Sequence, residues 1–144
     1  MTEITFHFNV PDRTEYACRL LRKAYRQGAH VVVTAAASAL AHLDRLLWTF
    51  DPLEFLPHVM LRAGQAAAPR QGLTRLWLLE DATEAPHHGV LVNLGQDAPP
   101  TGFESYARLI EIVTPDEAER AAARQRWKHY AERGYRIERH EVAS

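Results

Sequence analysis

The 144-residue chain predicts an α/β fold, a mostly parallel sheet flanked by helices in a single domain spanning residues 1–144. Three observations predict it. Residues Ile4 to Val10 alternate, with Ile4, Phe6 and Phe8 on one side and Thr5, His7 and Asn9 on the other, the period of a strand. His30 to Ala35 is a short β-branched run, the mark of a strand buried on both faces. Between them, Asp12 to Gln27 is periodic as a helix. Strand, helix, strand and helix in that order imply parallel pairing through right-handed crossovers.

Pro11 and Asp12 end the first strand and open the first helix, where Tyr16, Leu20, Lys23 and Ala24 with Ala17, Leu21 and Tyr25 follow helical spacing. Gly28 marks its C-terminal end. Ser38 is placed to cap the second helix, whose stripe is Leu40, Leu43 and Leu47. The stretch from Trp48 to Pro57 is too apolar for a plain solvent loop, and its prolines break any continuous helix. Arg62 to Gly72, with two glycines and four alanines, reads as a flexible connection. Leu73 to Leu79 and Gly89 to Leu94 read as strands joined by a polar hairpin-like turn at Ala85 to His88. A loop at Pro99, Pro100 and Gly102 precedes a strand over Leu109 to Val113. Thr114 with Glu117 three residues on resembles a capping box, with Pro115 at the first helical position. A helix then runs to about Arg133, ends at Gly134, and gives way to an amphipathic strand from Tyr135 to Val142.

Composition narrows the function classes. Hydrophobic residues are 47 % and charged residues 24 %, ordinary for a globular chain. Seventeen basic side chains balance eighteen acidic ones, so bulk attraction to nucleic acid or anionic membrane is not expected. A single cysteine, Cys18, cannot form an internal disulfide, and the opening MTEITFHFNV has no secretory signal pattern. A reducing, cytoplasmic setting follows, and no apolar run reaches the length that spans a bilayer.

The residues offer little support for catalysis. The first strand-to-helix turn, Asn9-Val10-Pro11-Asp12-Arg13, contains no glycine, so neither dinucleotide fingerprint nor phosphate-binding loop is present. The eight histidines are scattered and no CxxC pair exists, so no metal and no cofactor are expected. Cys18 reads as a buried thiol and His58 as a hydrogen-bonded, partly buried ring, while His7 and His42 fall on polar faces.

Two stretches read as binding surfaces. The first, Leu46 to His58, carries Trp48 and Phe55, which either fold back over the core or present an apolar patch to a partner. The second is the last helix and strand. From Arg120 to Arg139 there are seven basic residues and two acidic ones. Arg124, Trp127 and Lys128 stand at i, i+3 and i+4 on one helical face, suited to a ligand that is acidic and ends in an apolar group. The competing view is a solvated basic face over a stripe of Ala123, Trp127, Tyr130 and Ala131.

These blocks carry a resemblance. The opening ITFHF, the segment LDRLLWTFDPLEFLPH (Leu43 to His58) and RQRWKHYAERGY (Arg124 to Tyr135) resemble, in order and spacing, the chi subunit of bacterial DNA polymerase III. The resemblance implies a Rossmann-like domain without a nucleotide site, and a non-catalytic accessory subunit. It also implies two partners: the psi subunit of the clamp loader, and the acidic, phenylalanine-terminated tail of the single-stranded-DNA-binding protein. DNA would be met only indirectly. By this resemblance Trp48 and Phe55 match the psi-contacting region, and Arg124, Trp127 and Lys128 the tail-binding pocket. Trp127 stands where the family often has Tyr. A small α/β enzyme for a nucleotide or acidic metabolite, and a direct single-strand binder, remain alternatives on the residues themselves.

Overall fold

The computed structural model describes residues 1–50, 56–61 and 74–142. In chain order these form β1 (Glu3–Phe8), α1 (Arg13–Arg26), β2 (Val31–Thr34), α2 (Ala37–Thr49), β3 (His58–Leu61), β4 (Leu76–Leu79), β5 (Val90–Asn93), β6 (Arg108–Ile112), α3 (Glu117–Glu132) and β7 (Ile137–Glu141). Short 3-10 turns at Ala82–Glu84 and Phe103–Ser105 complete the set. The seven strands lie in one sheet in the order β3-β4-β2-β5-β6-β1-β7, and every pairing is parallel.

The expected α/β fold is therefore present, with three departures in its parts. β4 and β5 do not form a hairpin, because β2 lies between them and pairs in parallel with both. His58–Leu61 is a strand that the sequence reading did not separate from the apolar stretch before it. Ser38 does not cap α2: the cap position is Ala36, without a side-chain bond, and Ser38 lies inside the helix. The Arg62 to Gly72 connection falls outside the described residues.

The strand alternation sorts the core onto two faces. Val31 and Val33 of β2 pack with Leu76 and Leu78 of β4 beneath α1 and α2, which contribute Ala17, Cys18, Leu21, Leu40, Leu43 and Leu47. Val32, Trp77, Leu91 and Leu109 point the other way, toward α3 and its Ala123 and Tyr130. Full burial of a leucine such as Leu43 contributes about 1.5–3 kcal/mol. β2 is buried at all four positions because helices cover both faces, which is why its sequence is a continuous run.

α1 is capped by Asp12, whose carboxylate accepts the Glu15 N–H at 3.1 Å. Gly28 follows its end at φ +78°, the left-handed conformation that releases the chain toward β2. β1 stops at Phe8 instead of Val10, and Asn9 turns the chain away at φ 59°.

At the amino end of β5, Gly89 answers a different need. A Cβ there would stand 2.8 Å from the His30 carbonyl oxygen, which already accepts the Val90 N–H at 3.0 Å. Gly89→Ala is expected to push β5 away from β2 and cost about 1–3 kcal/mol. A lower urea midpoint with an unchanged m-value would report it.

Candidate functional site

α3 begins after β6 and runs back over the sheet. Its cap is Asp116, whose carboxylate accepts the Glu119 N–H at 3.0 Å. The Thr114–Glu117 capping box is thus replaced by a pairing two residues later. Pro115 precedes the cap, and the Thr114 hydroxyl bonds the Glu119 carboxylate instead.

The helix presents three kinds of side chain. Ala123, Arg126 and Tyr130 are buried, Trp127 is half-buried, and Arg120, Arg124 and Lys128 are exposed. The apolar stripe read from sequence is corrected at one place. Ala131 is exposed, and the guanidinium of Arg126 takes part in the interior.

Between α3 and the β1–β7 end of the sheet lies a groove of about 420 Å³. Phe6, Phe8, Ala123 and Trp127 supply its apolar lining, and Phe6 and Trp127 pack with ring centroids 4.9 Å apart. Arg120 and Arg124 stand on the helix wall. The opposite wall is β7, whose Arg139 lies with its guanidinium carbon 5.0 Å from the Phe8 ring centre. Asn9 and Thr114 close the end above the carboxyl ends of β1 and β6, and Asn9 donates to Glu141 at 2.7 Å. An apolar trough between two cationic walls suits an acidic ligand with an apolar terminus.

The structure brings Arg124 and Trp127 together in this groove. Lys128 is exposed one turn beyond Arg124 and does not line it. Sequence reasoning missed Phe6, Phe8, Arg120 and Arg139 as wall residues. Arg120 could have been found by continuing the i, i+4 row back from Arg124. Arg139 could not, because the place of β7 in the sheet is not written in its local pattern.

A second missed feature holds the helix wall in place. Glu111, fully buried on β6, accepts from Arg126 Nε at 3.0 Å, Asn93 Nδ2 at 3.0 Å and the Tyr130 hydroxyl at 2.6 Å. Arg126 also donates to the Gln96 carbonyl at 2.8 Å. Burial pushes the Glu111 carboxyl upward, against the pull of Arg126 and the donors around it. Burial and the neighbouring carboxylate likewise push the Tyr130 hydroxyl upward.

The crevice between β1 and β6, where their helices leave on opposite faces, is the usual ligand position in open α/β sheets. Here Arg13 of α1 pairs with Glu119 of α3 across it. Only about 20 Å³ is left beside them, room for about one water. Cys18 is buried, and burial pushes its thiol up to about 12, so it is a packing residue and not a nucleophile. His7 departs from its expected polar face: it is half-buried, bonds the Tyr16 hydroxyl, and is pushed down to about 4 by burial and by His140. Among the described residues no group of three His, Cys, Asp or Glu side chains could hold a metal, and no helix is long and apolar enough to cross a membrane.

At the far end of the molecule Trp48 ends α2 with 60 % of its surface exposed. It meets His58 edge-on at 5.5 Å, and His58 bonds Asp44 at 2.9 Å and the Leu56 carbonyl at 2.7 Å. Phe55, read with Trp48 as a partner surface, lies outside the described residues.

Comparison with known proteins agrees with this architecture. The family model described as DNA polymerase III chi subunit, HolC, matches residues 1–138. A DNA polymerase III subunit chi of Pseudomonas aeruginosa is 34 % identical, aligned over 99 % of this chain and 98 % of its own. One from Haemophilus influenzae is 30 % identical, over 85 % and 83 % respectively. Among solved structures, the C-terminal domain of the DEAD-box protein Dbp5 superposes with a TM-score of 0.60 over 98 % of this chain and 90 % of that one. At 11 % identity it shares the fold alone. The family match over nearly the whole length and the two relatives together show that the chain belongs to the DNA polymerase III chi subunit family.

Proposed function

We propose that the protein is an adaptor in DNA replication, which joins the clamp loader to the coated lagging-strand template without chemistry of its own. The groove between α3 and β7 takes the acidic, phenylalanine-terminated tail of the single-stranded-DNA-binding protein. The Trp48 and Phe55 surface takes the psi subunit. The observation that carries the tail reading is the groove itself, an aromatic trough with arginines on both walls. The terminal phenyl ring would pack against Trp127, Phe6 and Phe8, while Arg124 and Lys128 pair with the carboxylates. For the second surface the support is Trp48, a large ring left 60 % exposed where a helix ends.

The test is a titration with a short acidic peptide ending in phenylalanine, beside the same peptide without that residue. Salt-sensitive binding that needs the terminal residue supports the adaptor. No binding of either peptide at high concentration removes the tail reading. Micromolar binding of a nucleotide or tight binding of naked oligonucleotide would favour another function in its place.

A further inference from the structure

We infer that the outer face of α1, on the side of the sheet opposite α3, is a second docking surface, which touches single-stranded DNA directly and weakly. The surface stands without the tail groove and has its own test.

The near-neutral chain conceals a segregation of charge. α1 carries five basic side chains, Arg13, Arg19, Arg22, Lys23 and Arg26, and one acidic one, Glu15. Arg13 is committed to Glu119. The other four stand at i, i+3, i+4 and i+7, so they share one face of the helix. Arg19, Lys23 and Arg26 are exposed and Arg22 is half-buried. The helix dipole favours cations in the last turn and so accounts for Lys23 and Arg26. It does not account for Arg19, about two turns before the end.

The rings beside these cations point to the ligand. Arg19 has its guanidinium carbon 5.9 Å from the Tyr16 ring centre, Arg22 lies 5.0 Å from that of Phe50, and Arg75 lies 4.1 Å from that of Tyr25. Tyr16, Tyr25 and Phe50 are packed against the core, which anchors the pairs. Arg75 comes from the segment before β4, so a cation is added to this face from outside the helix. A guanidinium held over a ring is placed before a phosphate arrives and loses less freedom on pairing. Rings and arginine planes are also surfaces on which unpaired bases stack. Interleaved cations and rings are therefore the pattern of a single-strand track, and a duplex keeps its bases inside. The family membership puts unpaired template within reach of the protein.

The size of the track sets the strength of the contact. From Arg19 to Arg26 the helix rises about 10 Å, which a strand crosses with about three phosphates. Three neutralised phosphates give sequence-independent binding at its weak end, a Kd of about 10⁻⁴ M near physiological salt. Such a contact is too weak to hold the protein on DNA by itself. It gains weight once another site tethers the protein to the strand, because tethering raises the local concentration to the millimolar range.

The experiment is a fluorescence-anisotropy titration of a short labelled oligothymidylate with the full chain at several salt concentrations. The unmodified protein is expected to bind at low salt and to lose about 20-fold in affinity between 50 and 200 mM, a log–log slope near −2. Arg19→Gln with Lys23→Gln removes two exposed cations and should reduce that loss to about threefold, with an unchanged thermal melt. A duplex of the same length and a polyaspartate of equal charge should each bind several-fold more weakly than the single strand, since neither offers bases to stack.

No oligonucleotide binding at 50 mM salt overturns the inference. So does a double variant that keeps the affinity and the slope, because the strand would then lie elsewhere. If duplex or polyaspartate binds as tightly as the single strand, the face is a general anion surface and the choice of ligand is overturned. None of these results bears on the tail groove, which the peptide titration tests separately.

Discussion

Arg126→Ala is expected to destabilise the protein by about 3–5 kcal/mol, because it strips a fully buried carboxylate of the cation paired with it. Glu111 would keep the Asn93 amide and the Tyr130 hydroxyl, which donate but carry no charge. The partner of a deleted buried ion is what makes such substitutions costly, more than the lost bond itself. The sign of the pH dependence identifies the cause. Burial already raises the Glu111 carboxyl above its ordinary 4.5, and the variant loses the cation that pulled against it. A carboxyl raised in the folded state favours folding when protonated, so its cost is full at neutral pH and fades as pH falls toward 4.5. Urea melts at about pH 8 and pH 5 should therefore show a smaller deficit at the lower value. A deficit equal at both would assign the loss to the cavity left by the side chain. Combining Arg126→Met with Glu111→Gln removes both charges and keeps an acceptor for Tyr130, and should recover most of the stability. The network matters beyond stability, since Arg126 and Tyr130 tie to the sheet the helix that carries Arg120, Arg124 and Trp127.

What could be read from sequence, and what could not, follows from the range of the physics involved. β1, β2, α1 and α3 were legible because a strand or helix that buries one face repeats its apolar residues at a fixed period. β3 was not: four residues after Pro57, inside an already apolar stretch, carry no period long enough to recognise. Pairing was legible only where crossover order implied it, and the insertion of β2 between β4 and β5 is a long-range fact that a polar turn cannot report. Arg124 and Trp127 shared a face by helical arithmetic alone. Phe8 and Arg139 joined them only because β7 pairs with β1. The buried pair was the least legible. Glu111 interrupts an apolar strand and Arg126 sits among exposed bases, and each looked ordinary until α3 was laid over β6. A lone acid inside a buried strand, with a base fifteen residues on, was the available signal.

The groove makes a second prediction of similar size, on binding instead of folding. Arg124→Ala and Lys128→Ala should each weaken the tail peptide by about 1–3 kcal/mol, roughly 5- to 150-fold, if each loses a charge-assisted bond. Both side chains are exposed, so thermal stability should stay within about 0.5 kcal/mol of the unmodified protein, which separates lost contact from lost fold. Lys128 stands outside the lining of the groove, so its loss should be the smaller of the two and the more completely abolished by salt. Raising ionic strength from about 0.1 M to 1 M shortens the screening length from about 10 Å to 3 Å and should weaken binding by the unmodified protein. The double variant should show a flatter dependence, leaving the apolar share of the affinity. That share belongs to Trp127. Trp127→Tyr keeps a ring over Phe6 and should bind within a few-fold, whereas Trp127→Ala opens the trough and should lose binding that no change of salt restores. If the double variant retained the full salt dependence, the carboxylates would be meeting other cations. Arg120 and Arg139, which the groove places on its two walls, would be the next to replace.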